Sequence, residues 1–270
     1  MEKSRGKNGG TQTKNREGSP REGPCFFAVA GTRHIKPLLF YLAKCGRLFY
    51  NASMFQQNRC LAEGCKKTSL SVFNYYGEIA EGENYCLEHF PDQQKIKDDI
   101  YNYINQRQKI VGLNASGITF ENIDLTDKRF YGCNFQNCRF VNLHSTKFRS
   151  RMSFFDHSIF LDCAMLDSNL QFTSFGGCIF SHILFTGSDM IHDNFCGIQA
   201  YQSSFDDSDL YNSRFIGSKL VDTSFRNCNI KNTMFVSVEK QNVLFKSSNL
   251  REAIFDERGS EIFLKDSSEA

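Results

Sequence analysis

Hydrophobic and polar positions follow three different patterns along this chain. The first 24 residues contain no aromatic or aliphatic side chain after Met1, and carry six basic and three acidic residues. Such a segment buries too little apolar surface to offset its ordering entropy, so 1–24 is expected to be a disordered tail. Residues 25–114 read as a small mixed module. CFFAVAGTRHIKPLLFYLAKCGRLFYNASMF is apolar over short periods and predicts a strand, then a helix beginning near Pro37. Further on, Asp92 is placed to cap a helix, and Ile96, Ile100, Tyr103, Ile104 and Ile110 recur near helical spacing. They predict an amphipathic capping helix of about 18 residues ending near Gly112 and Asn114.

From Phe120 the period becomes five. Stepping in fives to Phe255 meets 28 positions without a phase slip; 16 are Phe, and only Ser145, Ser150 and Lys240 are polar. Neither a helix nor a strand repeats every five residues, so the segment is a repeat architecture. Two residues before each centre runs a second register, mostly small: Cys133, Cys138, Ser153, Ser158, Thr173 and Ser213 are examples. Each unit therefore sends one large and one small side chain inward. Where the centre shrinks to Ser145, Ser150 or Ala200, the small site grows to Leu143, Phe148 or Ile198, which conserves interior volume. The core is expected to contain Phe135, Phe160, Phe180, Phe205, Phe215, Phe225 and Phe235. On this reading the small register only fills space, and Ser213→Ala should cost little. Lys128, Asp193 and Lys240 break the pattern, and Lys240 predicts a bulge or loop within VSVEKQN.

The units Ser208-Asp209-Leu210, Ser168-Asn169-Leu170, Cys133-Asn134-Phe135 and Cys228-Asn229-Ile230 resemble the pentapeptide-repeat family, whose unit is small–Asp/Asn–Leu/Phe–x–x. That resemblance implies a mainly β fold: a right-handed quadrilateral β-helix with four pentapeptides per coil, about seven coils over 115–257. At about 4.8 Å per coil the rod would be roughly 34 Å long. Residues 258–270 are expected to be a C-terminal cap or tail.

Composition adds two things. Eleven Cys with no apolar leader point to reduced thiols and a cytoplasmic chain, and no apolar run is long enough to span a membrane. The charge is balanced, 32 basic against 30 acidic residues, which gives no field for nucleic acid or an anionic membrane.

The cysteines fall into two groups. Cys133, Cys138, Cys163, Cys178 and Cys228 occupy the small inward register and are expected to be buried and inert; Cys196 lies outside it. Upstream stands Cys60-x4-Cys65-x20-Cys86-x2-His89, two close ligand pairs separated by SLSVFNYYG, which reads as a strand. Two knuckles of this kind suit one structural Zn²⁺ held by Cys60, Cys65, Cys86 and His89 in a zinc-knuckle-like module. The resemblance agrees, since short Cys/His-rich segments precede pentapeptide repeats in some bacterial proteins. Ordinary reduced thiols and a surface His are the alternative.

Chemistry is otherwise absent. No phosphate-binding, dinucleotide-binding, metalloprotease or nucleophile-elbow motif occurs. In the repeat, side chains align at every fourth unit, and the column Arg129, Arg149, Asn169, Asp189, Asp209, Asn229, Asn249 reads as a structural ladder rather than a carboxylate pair. His144, His157, His182 and His192 show no carboxylate partner. The chain is expected not to be an enzyme and to have no small-molecule substrate. It is read as a scaffold that presents a rigid face to a protein partner or to a second copy of itself. The candidate face carries Val141, Ile159, Leu161, Ile179, Tyr201 and Val221, with residues 25–50 as the alternative cover. The other reading comes from the resemblance: some family members mimic a DNA rod and modulate topoisomerase (gyrase). That needs an acidic surface, and 116–257 carries 16 acidic against 13 basic residues, with the basic ones interspersed.

Overall fold

The computed structural model describes residues 58–80, 82 and 84–256. The expected tail, the strand and helix within 25–50, and the segment 258–270 lie outside the described residues. One helix, α1 (Gln93–Gln106), opens on Asp92, whose side chain accepts a hydrogen bond from Lys95 N at 2.9 Å. It buries Ile96, Ile100 and Ile104 in the same core as the first turn of a solenoid. The helix has 14 residues, shorter than the spacing predicts, because Arg107 is extended and Ile110 belongs to the strand Lys109–Val111. Ile110 satisfies the five-residue period as well as the helical one, and the sheet takes it.

That strand is the first rung of a parallel ladder in which each partner lies four units further along, as Lys109 pairs with Arg129. Ile110, Phe130, Ser150, Leu170 and Met190 pair in succession along a first wall. Phe120, Phe140, Phe160, Phe180, Ala200, Leu220 and Lys240 do so along a third. Bridges such as Asn134 to Phe154 and Ser204 to Ser224 continue the second and fourth walls. Four units thus make one turn, and the described chain forms a four-walled parallel β-solenoid of about seven turns. Lys240 does not bulge: it stays in register, in the strand Glu239–Gln241.

The core is a phenylalanine stack. Rings one turn apart lie face to face except Phe160–Phe180, which meet edge-on, with Phe155–Phe175 at 5.1 Å, Phe195–Phe215 at 4.8 Å and Phe215–Phe235 at 5.0 Å. These distances match the strand spacing and the preferred range for aromatic pairs. All seven phenylalanines expected in the core are buried, as are the compensating Leu143, Phe148 and Ile198.

The small register does more than fill space. Most of its hydroxyls and thiols donate to the carbonyl 23 residues back: Ser158 to Phe135 O at 2.8 Å, Ser213 to Met190 O at 2.7 Å, Cys178 to Phe155 O at 3.0 Å. Several also accept from the amide one turn back, as Ser213 does from Asp193 N at 2.9 Å. This overturns the expectation that Ser213→Ala costs little, since the change would leave a buried N–H without its acceptor. Ser, Thr and Cys recur here because each is small and each donates.

Corners are set by a third register, two residues after each centre. All 28 positions from Gly112 to Ser247 in this register take positive φ; seven are Gly, seven Asn and five Asp. The left-handed conformation costs other residues about 1–2 kcal/mol each, and short polar side chains offset part of it.

Two of the inward exceptions, Lys128 and Asp193, differ in kind. Lys128, in an early turn, sends its ammonium to the last carbonyls of α1 and its C-cap, those of Ile104, Asn105 and Arg107, at 2.7, 2.8 and 3.0 Å. A cation there complements the negative end of the helix dipole. Asp193 is different: it lies mid-rod and is fully buried, with Oδ1 accepting from Thr173 N at 2.7 Å and Oδ2 without a partner. Desolvation by burial pushes its carboxyl well above the ordinary carboxylate value. A carboxyl raised in the fold contributes fully below its unfolded value, near pH 4, and loses that contribution as pH rises through the folded one. Asp193→Ser restores the register's usual hydroxyl. It is expected to raise stability at pH 7 by about 1–3 kcal/mol and to flatten the fall of Tm as pH rises above about 4. An unchanged Tm at pH 7 would contradict this.

Candidate metal centre and partner face

Residues 58–90 build two tight turns. Around the first, Arg59 and Thr68 bridge in antiparallel fashion, Cys60 N donates to Lys67 O at 2.9 Å, and Cys65 N donates to Ala62 O at 3.1 Å. Gly64, at φ 74°, makes the reversal between the two cysteines. The second turn is a single 3-10 step, Leu87–His89, in which His89 N donates to Cys86 O at 3.1 Å. The intervening SLSVFNYYG is a hairpin rather than a plain strand. Phe73 bridges Ile79, and the Asn74 side chain accepts from Tyr76 N and Glu78 N at 2.9 and 3.0 Å. A parallel bridge between Cys60 and Asn84 then brings the second turn beside the first.

The four predicted ligands converge. One ligand atom from each of Cys60, Cys65, Cys86 and His89 falls within 4.8 Å of the others. Cys65 Sγ lies 3.9 Å from Cys86 Sγ, and His89 Nδ1 lies 3.5 Å from Cys60 Sγ and 3.3 Å from Cys86 Sγ. A tetrahedral Zn²⁺ with Zn–S of about 2.3 Å and Zn–N of about 2.0–2.1 Å requires S···S of about 3.8 Å and S···N of about 3.5 Å. The observed separations fit that geometry and are too long for a disulfide. Nδ1, not Nε2, is the nitrogen turned to the thiols. Desolvation pushes the Cys60 thiol up, but hydrogen bonds from the backbone of Cys86 and Ala62 outweigh it and bring the thiol to about 6. Burial instead pushes the Cys86 thiol up. An exposed Lys67–Glu88 ion pair also links the two turns.

This module is tied to the start of the solenoid. Ser71 N donates to Asn114 O at 2.9 Å, and Asn114 returns bonds to Ser71 Oγ and Ser69 O at 2.8 and 2.7 Å. Leu70 joins the core cluster that contains Ile96, Ile100 and Ile104. The Cys/His module is thus tied to the first turn, and its Leu70 shares the core of α1 and the solenoid.

The candidate partner residues all lie on the third wall and are half-buried. Strand register places Ile159 beside Ile179, Val141 beside Leu161, and Tyr201 beside Val221. Ser181 interrupts the series beside Leu161, so the wall carries two apolar clusters rather than one unbroken column.

Among the polar columns, the expected Asn/Asp ladder is present: Asn169 Nδ2 donates to Asp189 Oδ2 at 3.1 Å, and Asn229 Nδ2 to Asp209 Oδ1 at 3.0 Å. His182 does have a carboxylate partner, contrary to expectation. Its Nδ1 lies 3.0 Å from Asp162 Oδ1 and its Nε2 2.5 Å from Gln202 Oε1. The three residues share one corner column, one per turn, which is a signal the sequence carries. The pair is exposed and links side chains of successive turns. The five inward cysteines are buried; desolvation raises the thiols of Cys133, Cys138 and Cys228 to about 12, and those of Cys163 and Cys178 likewise rise. Thiols so placed are unreactive. Among the described residues no helix is long and apolar enough to cross a membrane.

A family model described as "Pentapeptide repeat region" matches residues 178–255. The later turns of this solenoid match a pentapeptide repeat region. The same register extends the pentapeptide repeat upstream of the matched span to Ile110. Solved structures similar to the chain include the pentapeptide repeat protein Rfr23 from the cyanobacterium Cyanothece 51142, at 10% identity and a TM-score of 0.34, covering 60% of this chain and 99% of that one. HetL, involved in heterocyst differentiation regulation in Nostoc sp. strain PCC 7120, is 11% identical with a TM-score of 0.22, covering 59% and 97%. QnrB1, a plasmid-mediated fluoroquinolone resistance protein, is 12% identical with a TM-score of 0.29, covering 57% and 95%. No curated protein matches the chain.

Proposed function

We propose that this chain is a non-enzymatic scaffold. Its pentapeptide-repeat rod presents the third wall to a protein partner, and one structural Zn²⁺ on Cys60, Cys65, Cys86 and His89 holds the cap. The observation that carries the reading is the alignment of Val141, Ile159, Leu161, Ile179, Tyr201 and Val221 as side-by-side pairs on one rigid wall. Large outward apolar side chains stacked in this way are uncommon on a surface without a partner. A tetrahedral set of three thiolates and one imidazole leaves no position for a substrate, so the metal's part is structural. The topoisomerase reading is not favoured, because exposed Arg129, Arg139, Arg149 and Arg151 interrupt any acidic stripe.

The double change of Leu161 and Tyr201 to Lys tests the face. Sedimentation and chemical cross-linking of purified chain, alone and with host extract, are expected to show a complex that the variant loses while its Tm stays within about 2 °C. Equal complex formation by wild type and variant would overturn the face. A large fall in Tm would mean that the chain itself covers this wall.

A further inference from the structure

The corner after the first wall departs from the rest of the solenoid. Of the 28 left-handed corner positions, only Met152 and Phe172 carry apolar side chains, and they occupy successive turns of this one column. His192 is next in line. Phe172 is 60% exposed and Met152 40%. The Phe172 ring stacks on His192 at 5.0 Å with 2° between planes, and His192 meets the edge of Tyr211 at 5.8 Å. Directly beneath, the interior turns polar. Thr173 Oγ1 lies 3.2 Å from Ser150 Oγ, and Asp193 keeps an unpartnered buried oxygen. Here the solenoid is apolar outside, polar inside, and strained in its backbone by bulky residues. None of these choices helps an isolated rod, and such departures concentrate where a ligand binds.

The adjoining charge indicates the ligand. Arg129, Arg149 and Arg151 stand exposed on the first wall in the turns just before Phe172. Among the described residues, none of the three forms an ion pair. We propose that this corner is a second protein-binding site, distinct from the third wall, which takes an extended acidic peptide segment with an apolar anchor. Its carboxylates meet Arg149 and Arg151, and its anchor rests on Met152 and the exposed rim of Phe172. Adjacent turns are about 4.8 Å apart and an extended chain rises about 3.3 Å per residue, so about one to three residues separate acid from anchor. His192 covers a face of Phe172, which suits a side chain against the ring edge better than a stacked nucleobase. The proposal rests on the reading of the rod as a protein-binding scaffold.

Panning a random dodecapeptide library on the full-length chain tests it. The enriched peptides should carry two or more acidic residues with an aromatic or aliphatic residue within about three positions. Their affinity, read by fluorescence anisotropy, should fall about tenfold or more in Phe172→Asn and in the double change of Arg149 and Arg151 to Glu. Phe172→Asn relieves corner strain and should raise Tm by about 2–4 °C, so its loss of binding cannot be ascribed to unfolding. The double change of Leu161 and Tyr201 to Lys should leave peptide affinity unchanged. That control separates this corner from the third wall, and a null result for the third wall leaves the corner standing. Enrichment of no acidic peptide, equal binding to Phe172→Asn, or displacement of the peptide by an oligouridine would overturn the proposal.

Discussion

Phe215→Ala is expected to lower stability by about 3–5 kcal/mol. Phe215 is fully buried, stacked on Phe195 at 4.8 Å and Phe235 at 5.0 Å, and met edge-on by Phe205 and Phe225 at 5.6 and 5.4 Å. Its wall is held in place by hydrogen bonds between turns, such as Phe215 N to Met234 O at 2.8 Å, so the cavity has little room to collapse. Ser213→Ala, two residues away, is expected to cost about 1–3 kcal/mol. It removes the hydroxyl that bridges Asp193 N and Met190 O without opening a large void. Urea titration followed by circular dichroism ranks the two. A Ser213→Ala loss equal to or above that of Phe215→Ala would mean that hydrogen-bond ladders, not ring stacking, hold the rod together.

On the zinc reading proposed above, chelation should have the larger local effect. Structural Zn²⁺ in small modules supplies on the order of 10 kcal/mol of folding energy. Residues 58–90 bury few large side chains of their own: Leu70 fully, with Val72, Phe73, Ile79, Leu87 and Phe90 only partly. A chelator, or Cys86→Ser, is therefore expected to open 58–92 to protease and to hydrogen exchange. Residues 110–255, held by their own ladder, should remain protected. Equal protection of 58–92 before and after chelation would show that the cap stands without a metal.

Much of the fold is legible in the sequence because the solenoid imposes one simple rule. Each inward position depends on its neighbours one unit and four units away, so Phe135, Phe155 and Phe175 announce the stack in a single chain. Hydrogen bonding is less legible. Ser213 and Cys178 look like space-fillers until the carbonyl 23 residues back is known, and that separation follows from the turn length rather than from any local motif. The end of α1 is ambiguous in the sequence because Ile110 fits both a helical face and the five-residue ladder. The corner register is open to sequence reading: Gly, Asn and Asp crowd the positions two after each centre, and against that background Phe172 stands out. At the candidate metal site, the pairs Cys60/Cys65 and Cys86/His89 are legible from spacing. The hairpin between them is signalled only by Asn74 and Gly77, whose turn reverses the chain.

The most direct measurement is zinc content per chain, by elemental analysis of full-length protein purified without added metal, beside Cys86→Ser prepared in the same way. One zinc per wild-type chain and none in the variant is the predicted result, because one ligand atom from each of Cys60, Cys65, Cys86 and His89 lies within 4.8 Å of the others. A wild-type chain that holds no zinc, while residues 58–92 still resist proteolysis, would contradict it.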